Sequence, residues 1–192
     1  ATGLQVAIDA TIAQLPIPKV MTYQQDDGWS NIKFVRPAHR LTALHGSDVV
    51  AVEALGVSSS NVTQGHRFEA KADTMTLATA DSYAQQLAEE GAVIASFAAR
   101  RDEIQSQLTA KSEAEGLKPI DDDELLDEVT SLVERPNVLL CQFEEEFLEV
   151  PQECLILTMK QNQKYFPLLD SSGKLTNRFL IVSNITPADA KE

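Results

Sequence analysis

Arg36, His39, Arg40, His45, His66 and Arg67 fall in one stretch of the chain, and the three histidines are all that the 192 residues contain. Imidazoles accept a proton near neutral pH and ligate metals, so one chemistry to consider is a general base or a metal site. Their spacing is irregular and no cysteine or paired carboxylate joins them, so no metal site is expected. A second chemistry is an anion pocket built from Arg36, His39, His66 and Arg67, with guanidinium forks turned to a phosphate or carboxylate. The plainest account needs no ligand: these are strand-edge and turn residues satisfied by backbone groups or nearby acids. The irregular spacing favours it.

A second basic group lies near the end of the chain. Lys160, Gln161, Lys164, Tyr165 and Arg178, with Lys174 beside them, combine cations, an amide and a phenol. Such a surface suits contact with an RNA backbone or a partner subunit. Lysines at a helix C-terminus also complement the helix dipole, which accounts for Lys160 without any ligand.

Beyond these groups the sequence announces little chemistry. It holds no glycine-rich dinucleotide or triphosphate loop, no HExxH, no CxxC pair and no GxSxG. The formal net charge is -13. A protein that binds RNA chiefly through phosphates carries a basic stripe, whereas this chain as a whole repels a polyanion. The acid is clustered at Asp121–Glu124 and Glu144–Glu146, which reads as solvated surface. Cys141 and Cys154 sit among apolar residues and are expected to be buried free thiols of a reducing cytoplasm. No run nears the roughly 20 apolar residues that span a bilayer. The chain opens at Ala1 without Met and closes on a polar tail, so a piece of a longer protein is expected.

The elements that must position these groups follow from periodicity and punctuation. Leu4–Leu15 has helical spacing and ends at Pro16 and Pro18. Gln24–Asn31 is a loop turning at Asp27-Gly28, followed by a strand over Ile32–Val35. Leu41–Leu44 and Val49–Leu55 form a hairpin around Gly46-Ser47-Asp48. Ser58–Asn61 reads as a loop and Val62–Glu69 as a strand. A helix over Asp81–Glu90 stops at Gly91, and Ala92–Ile94 is a short strand. Ser96–Lys111 is a helix with Ile94, Phe97, Ile104 and Leu108 inward and Arg100, Arg101, Asp102 and Gln105 outward. Asp121–Glu134 is the clearest helix, with a stripe of Leu125, Leu126, Val129, Leu132 and Val133. Val138–Phe143 is a strand, Pro151 opens another helix, and Tyr165–Leu169 pairs with Phe179–Ile185 through the Asp170–Gly173 turn. The expected class is α+β, a mixed and mostly antiparallel sheet with packed helices. It forms one domain over 1–192, β-rich over 30–70 and helix-rich over 80–192.

The wording Leu15-Pro16-Ile17-Pro18-Lys19, Phe34-Val35-Arg36-Pro37, Gly65-His66-Arg67-Phe68 and, above all, the run Asp127–Ile185 resembles the N-terminal part of the β subunit of bacterial heterotetrameric glycyl-tRNA synthetase. The resemblance implies a complex of two α and two β chains that attaches glycine to its tRNA. In it, α uses ATP and magnesium and β supplies tRNA binding. It implies a fold similar to the editing-type domain of the phenylalanyl-tRNA synthetase β subunit. The partners implied are the α subunit and the tRNA for glycine, with no membrane and no DNA. No catalytic residue of the family maps onto this chain, and no cofactor is expected in it.

Three roles then stand: a non-catalytic domain contacting tRNA or the α subunit, a hydrolytic editing domain using His39 or His66 as base, and an acidic module docking a basic protein. Glycine is the smallest amino acid, so a synthetic site can exclude larger ones by size, which favours the first role over editing.

Overall fold

The computed structural model describes residues 1–17, 19–35 and 38–187. The chain divides into two compact units, Ala1–Gln86 and Leu87–Glu192. As expected, helices and small, largely antiparallel sheets alternate without a βαβ repeat.

In the N-terminal unit, helix α1 (Thr2–Gln14) ends just ahead of Pro16 as predicted, and none of its residues is buried. Gln5 fastens it: the side-chain amide donates to the Glu53 carbonyl and accepts the Glu53 N–H, both at 2.8 Å. Strands β1 (Met21–Gln24) and β2 (Asn31–Phe34) form an antiparallel hairpin, of which only the second strand was expected. At its tip the Asp27 carboxylate accepts the Ser30 hydroxyl and the N–H groups of Ser30 and Trp29, which holds its pKa below the usual range. Seven short strands follow: β3 (Leu41–Thr42), β4 (Leu44–His45), β5 (Asp48–Val49), β6 (Glu53–Ala54), β7 (Val57–Ser60), β8 (Val62–Thr63) and β9 (Met75–Thr76). β4 and β5 are the expected hairpin, reduced to two residues a side.

Two expectations fail in this unit. Ser58–Ser60 is not loop but part of β7, the centre of a three-stranded sheet, parallel to β3 and antiparallel to β6. Leu55 and Gly56 both take positive φ (53° and 80°), the two-residue turn that matches strand twist, and a side chain at Gly56 would collide with Ile32. The serines bond as ladder supports: Ser59 Oγ donates to the Val50 carbonyl and accepts the Val52 N–H. The strand expected over Val62–Glu69 stops at Thr63, because Arg67–Glu69 is a turn.

Helix α2 (Tyr83–Glu89) is shorter than predicted, and its left-handed residue is the buried Ala92 (φ 55°) rather than Gly91. The strand expected at Ala92–Ile94 does not form. That segment is held by the Val93 N–H on the Leu87 carbonyl and the Ile94 N–H on the Glu134 carbonyl.

The C-terminal unit is built from α3 (Phe97–Ala114), β10 (Lys118–Pro119), α4 (Asp123–Leu132), β11 (Asn137–Gln142), α5 (Gln152–Thr158), β12 (Phe166–Leu169) and β13 (Leu175–Ser183). The strands make one antiparallel sheet in the order β10-β12-β13-β11. Ile104 and Leu108 of α3, Leu125, Leu126 and Val129 of α4, and Val138, Phe166, Leu168 and Leu180 of the sheet share one core. Pro167, which has no N–H to give the ladder, sits where the β12–β13 register shifts.

Three side chains depart from the expected faces. Arg100 turns inward, its guanidinium donating to the Thr130 carbonyl at 2.9 Å and the Ile94 carbonyl at 2.5 Å. Thr130 lies in the last turn of α4, where carbonyls lack helical donors, so the arginine is drawn there. Phe97 stays largely exposed beside that guanidinium. Leu132 is 61% exposed, because α4 ends on it and Val133, in extended conformation, takes the core position. Both cysteines are free; Cys141 is half-buried, which pushes its thiol pKa up, and Cys154 is exposed rather than buried.

Leu126→Ala is expected to cost about 2–5 kcal/mol, a buried-leucine truncation that leaves a cavity. Leu132→Ala, at an exposed site, should cost under about 0.5 kcal/mol. Urea unfolding of the two variants, followed by circular dichroism, checks the contrast; equal losses would contradict this core.

Candidate functional site

The C-terminal basic group is organised by one irregular helix end. α5 runs without a break into a single wide turn, Met159–Gln163, with the i→i+5 spacing of a π helix. Lys164 closes it in the left-handed region (φ 59°, ψ 36°), and the Tyr165 N–H returns to the Met159 carbonyl at 2.9 Å. That backbone costs a non-glycine residue on the order of 1–2 kcal/mol.

The cations of this turn are not directed at solvent. Lys160 pairs with Asp122, Lys164 Nζ lies 2.9 Å from Glu128, and Arg178 pairs with Glu115. Tyr165 stacks on Phe179 with centroids 4.9 Å apart, and Phe179 on Phe143 at 6.3 Å. Of the five residues read as an RNA or subunit contact, only Gln161 is fully exposed. The structure therefore commits Lys160 and Lys164 to acids of α4 and its cap, and Arg178 to the end of α3.

Asp122, which sequence reasoning did not single out, is the junction. One carboxylate oxygen caps α4 by accepting the Leu125 N–H at 2.9 Å, and the other meets Lys160. Lys160 first, then the Leu125 N–H, holds this carboxyl below its ordinary range. Arg101 adds a neighbouring clasp to Asp123 and Asp127 at 2.5 and 2.6 Å. The local signal was present, since an aspartate just ahead of an apolar helical stripe is an N-cap. Its lysine lies 38 positions away, which no spacing rule reaches.

In the N-terminal unit the structure draws His39, Gln64, His66, Arg67 and Asp73 around a cleft of about 560 Å³. Three of the four residues read as an anion pocket thus meet, while Arg36 lies outside the described residues. His45 is elsewhere, paired in register with Asp48 across β4 and β5, and Arg40 is exposed. His66 is 2% exposed, and its Nδ1 accepts the N–H groups of Phe68 and Glu69, both at 3.2 Å. It is the buried post of the Arg67–Glu69 turn, which matches the reading of a histidine satisfied by backbone. Arg67 projects from that turn over Phe68, 5.6 Å from the ring centroid. Among the described residues no three His, Cys, Asp or Glu side chains are gathered as a metal would need. No described helix is long and apolar enough to cross a membrane.

A family model described as glycyl-tRNA synthetase beta subunit matches residues 1–192. The chain belongs to the glycyl-tRNA synthetase beta subunit family. It is 69% identical over 190 residues to the glycine–tRNA ligase beta subunit of Leptothrix cholodnii, and 66% identical over 193 and 189 residues to those of Acidovorax ebreus and Methylobacillus flagellatus. These alignments cover 98–99% of this chain and 27% of each relative, so it spans about a quarter of their length. Within this beta-subunit chain the charge is unevenly divided. Residues 1–86 carry six Lys and Arg against eight Asp and Glu, and residues 87–192 carry ten against twenty-one.

Asp122→Ala removes both the cap and the partner of Lys160, and is expected to cost roughly 1–2 kcal/mol at pH 7. Asp122→Asn keeps a capping oxygen and should cost less. The native carboxyl titrates below its unfolded value of about 3.9, so its stabilisation is complete above that value and is lost as pH falls through the lower native one. The stability gap between wild type and Asp122→Asn should close on acidification. Urea midpoints taken from pH 7 downward test this, and a gap indifferent to pH would refute the pairing.

Proposed function

We propose that this chain is a non-catalytic part of the β subunit of glycine–tRNA ligase, serving the ATP-dependent attachment of glycine to its tRNA in the cytoplasm. The observation that carries the proposal is the match of the whole chain to β subunits at 66–69% identity. In this reading the chain works within an assembly of two α and two β subunits, where ATP and magnesium are used by α. Its own part is contact with tRNA, with α, or with both.

The geometry supports a binding role over a hydrolytic one. A base needs an accepting nitrogen aimed at water or substrate, yet Nδ1 of His66 is taken by two backbone N–H groups. His39, which lines the same cleft, is exposed. The cations at Lys160, Lys164 and Arg178 instead brace the fold, which leaves the N-terminal unit as the less acidic face toward tRNA.

Full-length β with α, compared with the same complex lacking residues 1–192, tests the proposal. Loss of tRNA charging with glycyl-adenylate formation intact is the expected result. Loss of assembly would make α the partner contacted. Unimpaired charging would refute a role in synthesis and turn attention to hydrolysis of mischarged tRNA.

A further inference from the structure

We propose that the cleft of the N-terminal unit and the turn at its edge bind a single strand of RNA, taking a phosphodiester at Arg67 and His39 in the cleft and a base on Phe68, which follows Arg67 but does not line the cleft. The inference rests on the role in tRNA charging proposed above and gives that role a place.

Phe68 is 75% exposed, although burying a phenylalanine side chain is worth about 1.5–3 kcal/mol. It is not left out by slack in the chain. The buried His66 ring binds the N–H groups of Phe68 and Glu69, and its carbonyl accepts the Ala70 N–H at 3.1 Å. A satisfied core group therefore fixes the turn that holds Phe68 and Arg67 outward. Exposed aromatic faces with arginine beside them are what sequence-tolerant single-strand binding uses, because every base offers a π face.

Arg67 makes no ion pair among the described residues, in contrast to Arg101, Lys160, Lys164 and Arg178. Its guanidinium lies over the Phe68 ring but meets no acid among the described residues, so its N–H groups can fork onto phosphate oxygens. Asp73 on the cleft wall opposes a bare anion such as inorganic phosphate. A nucleotide brings donors as well as charge, and its ribose 2′-hydroxyl and base amines can donate to Asp73 and to the Gln64 carbonyl. The set of one cation, one carboxylate, one amide and one ring thus fits RNA better than a simple anion. Residues 1–86, with six cationic against eight acidic side chains, repel a polyanion less by their own charge than residues 87–192 do by theirs.

Equilibrium binding of tRNA for glycine to the full α–β complex, measured over a salt series, tests the site with Arg67→Ala and Phe68→Ala. Both positions are exposed, so both variants should fold and keep glycyl-adenylate formation. Arg67→Ala is expected to weaken binding several-fold and to lower the slope of log K against log salt by roughly 0.7, one single-strand phosphate contact. Phe68→Ala should weaken binding by about 5- to 100-fold with the slope unchanged, as the loss of one stacked base does. Affinity and slope equal to wild type in both variants would overturn the site, while the proposed role would stand if deletion of residues 1–192 still abolished charging. Weakened α–β assembly in these variants, with tRNA affinity intact, would also overturn it and make the cleft a protein contact.

Discussion

Leu180 sits at the centre of a sheet face that water does not reach, and the C-terminal unit is arranged around that exclusion. Its cross-strand neighbour Phe166 and the nearby Val138 and Leu168 form a surface onto which α3 and α4 lay Ile104, Leu108, Leu125, Leu126 and Val129. The burial fixes the phase of both helices, and the phase decides where their polar residues go. Arg100 lands over the Thr130 carbonyl in the last turn of α4, while Asp123 and Asp127 fall within reach of Arg101. Polar contacts on this unit are consequences of apolar packing, since exposed pairs alone contribute at most about 1 kcal/mol each.

That hierarchy explains why the cations of the second basic group meet acids of this chain. Once α5 and its wide turn dock beside α4, Lys160 and Lys164 face Asp122 and Glu128. Of the acids read as solvated surface, Asp122 is a counter-ion for Lys160 and Asp123 for Arg101. In the N-terminal unit the opposite holds. Little is buried beyond Val52, Met75, Leu77 and His66, and cations such as Arg67 remain without acid partners among the described residues.

Sequence was most legible where periodicity was long and its ends were marked. Helices α3 and α4, strand β11 and the β12–β13 hairpin stand where expected, because an apolar stripe of two or more turns or an Asp-Ser-Ser-Gly turn admits few readings. It failed where two residues decided an element. The Ser58–Ser60 strand depends on positive φ at Leu55, which no propensity favours, and Val62–Glu69 was cut short by a side chain that caps its own turn. For the site, His39, His66 and Arg67, grouped by residue type, line one cleft, while Arg36 lies outside the described residues. Types alone could not reveal that the lysines were spoken for, because their partners are set by tertiary packing.

The wide turn at Met159–Gln163 places an unusual demand on the chain's length. Removing one residue from a helix turns everything beyond it by about 100°. Here that would swing Lys164 off Glu128 and draw Tyr165 from its stack on Phe179, even with every remaining residue chemically unchanged. Gln161, Asn162 and Gln163 are all exposed, so substitutions there are expected to leave that arrangement intact. Between α5 and β12 the gene is therefore constrained in length more than in spelling, tolerant of altered codons and intolerant of a gained or lost one.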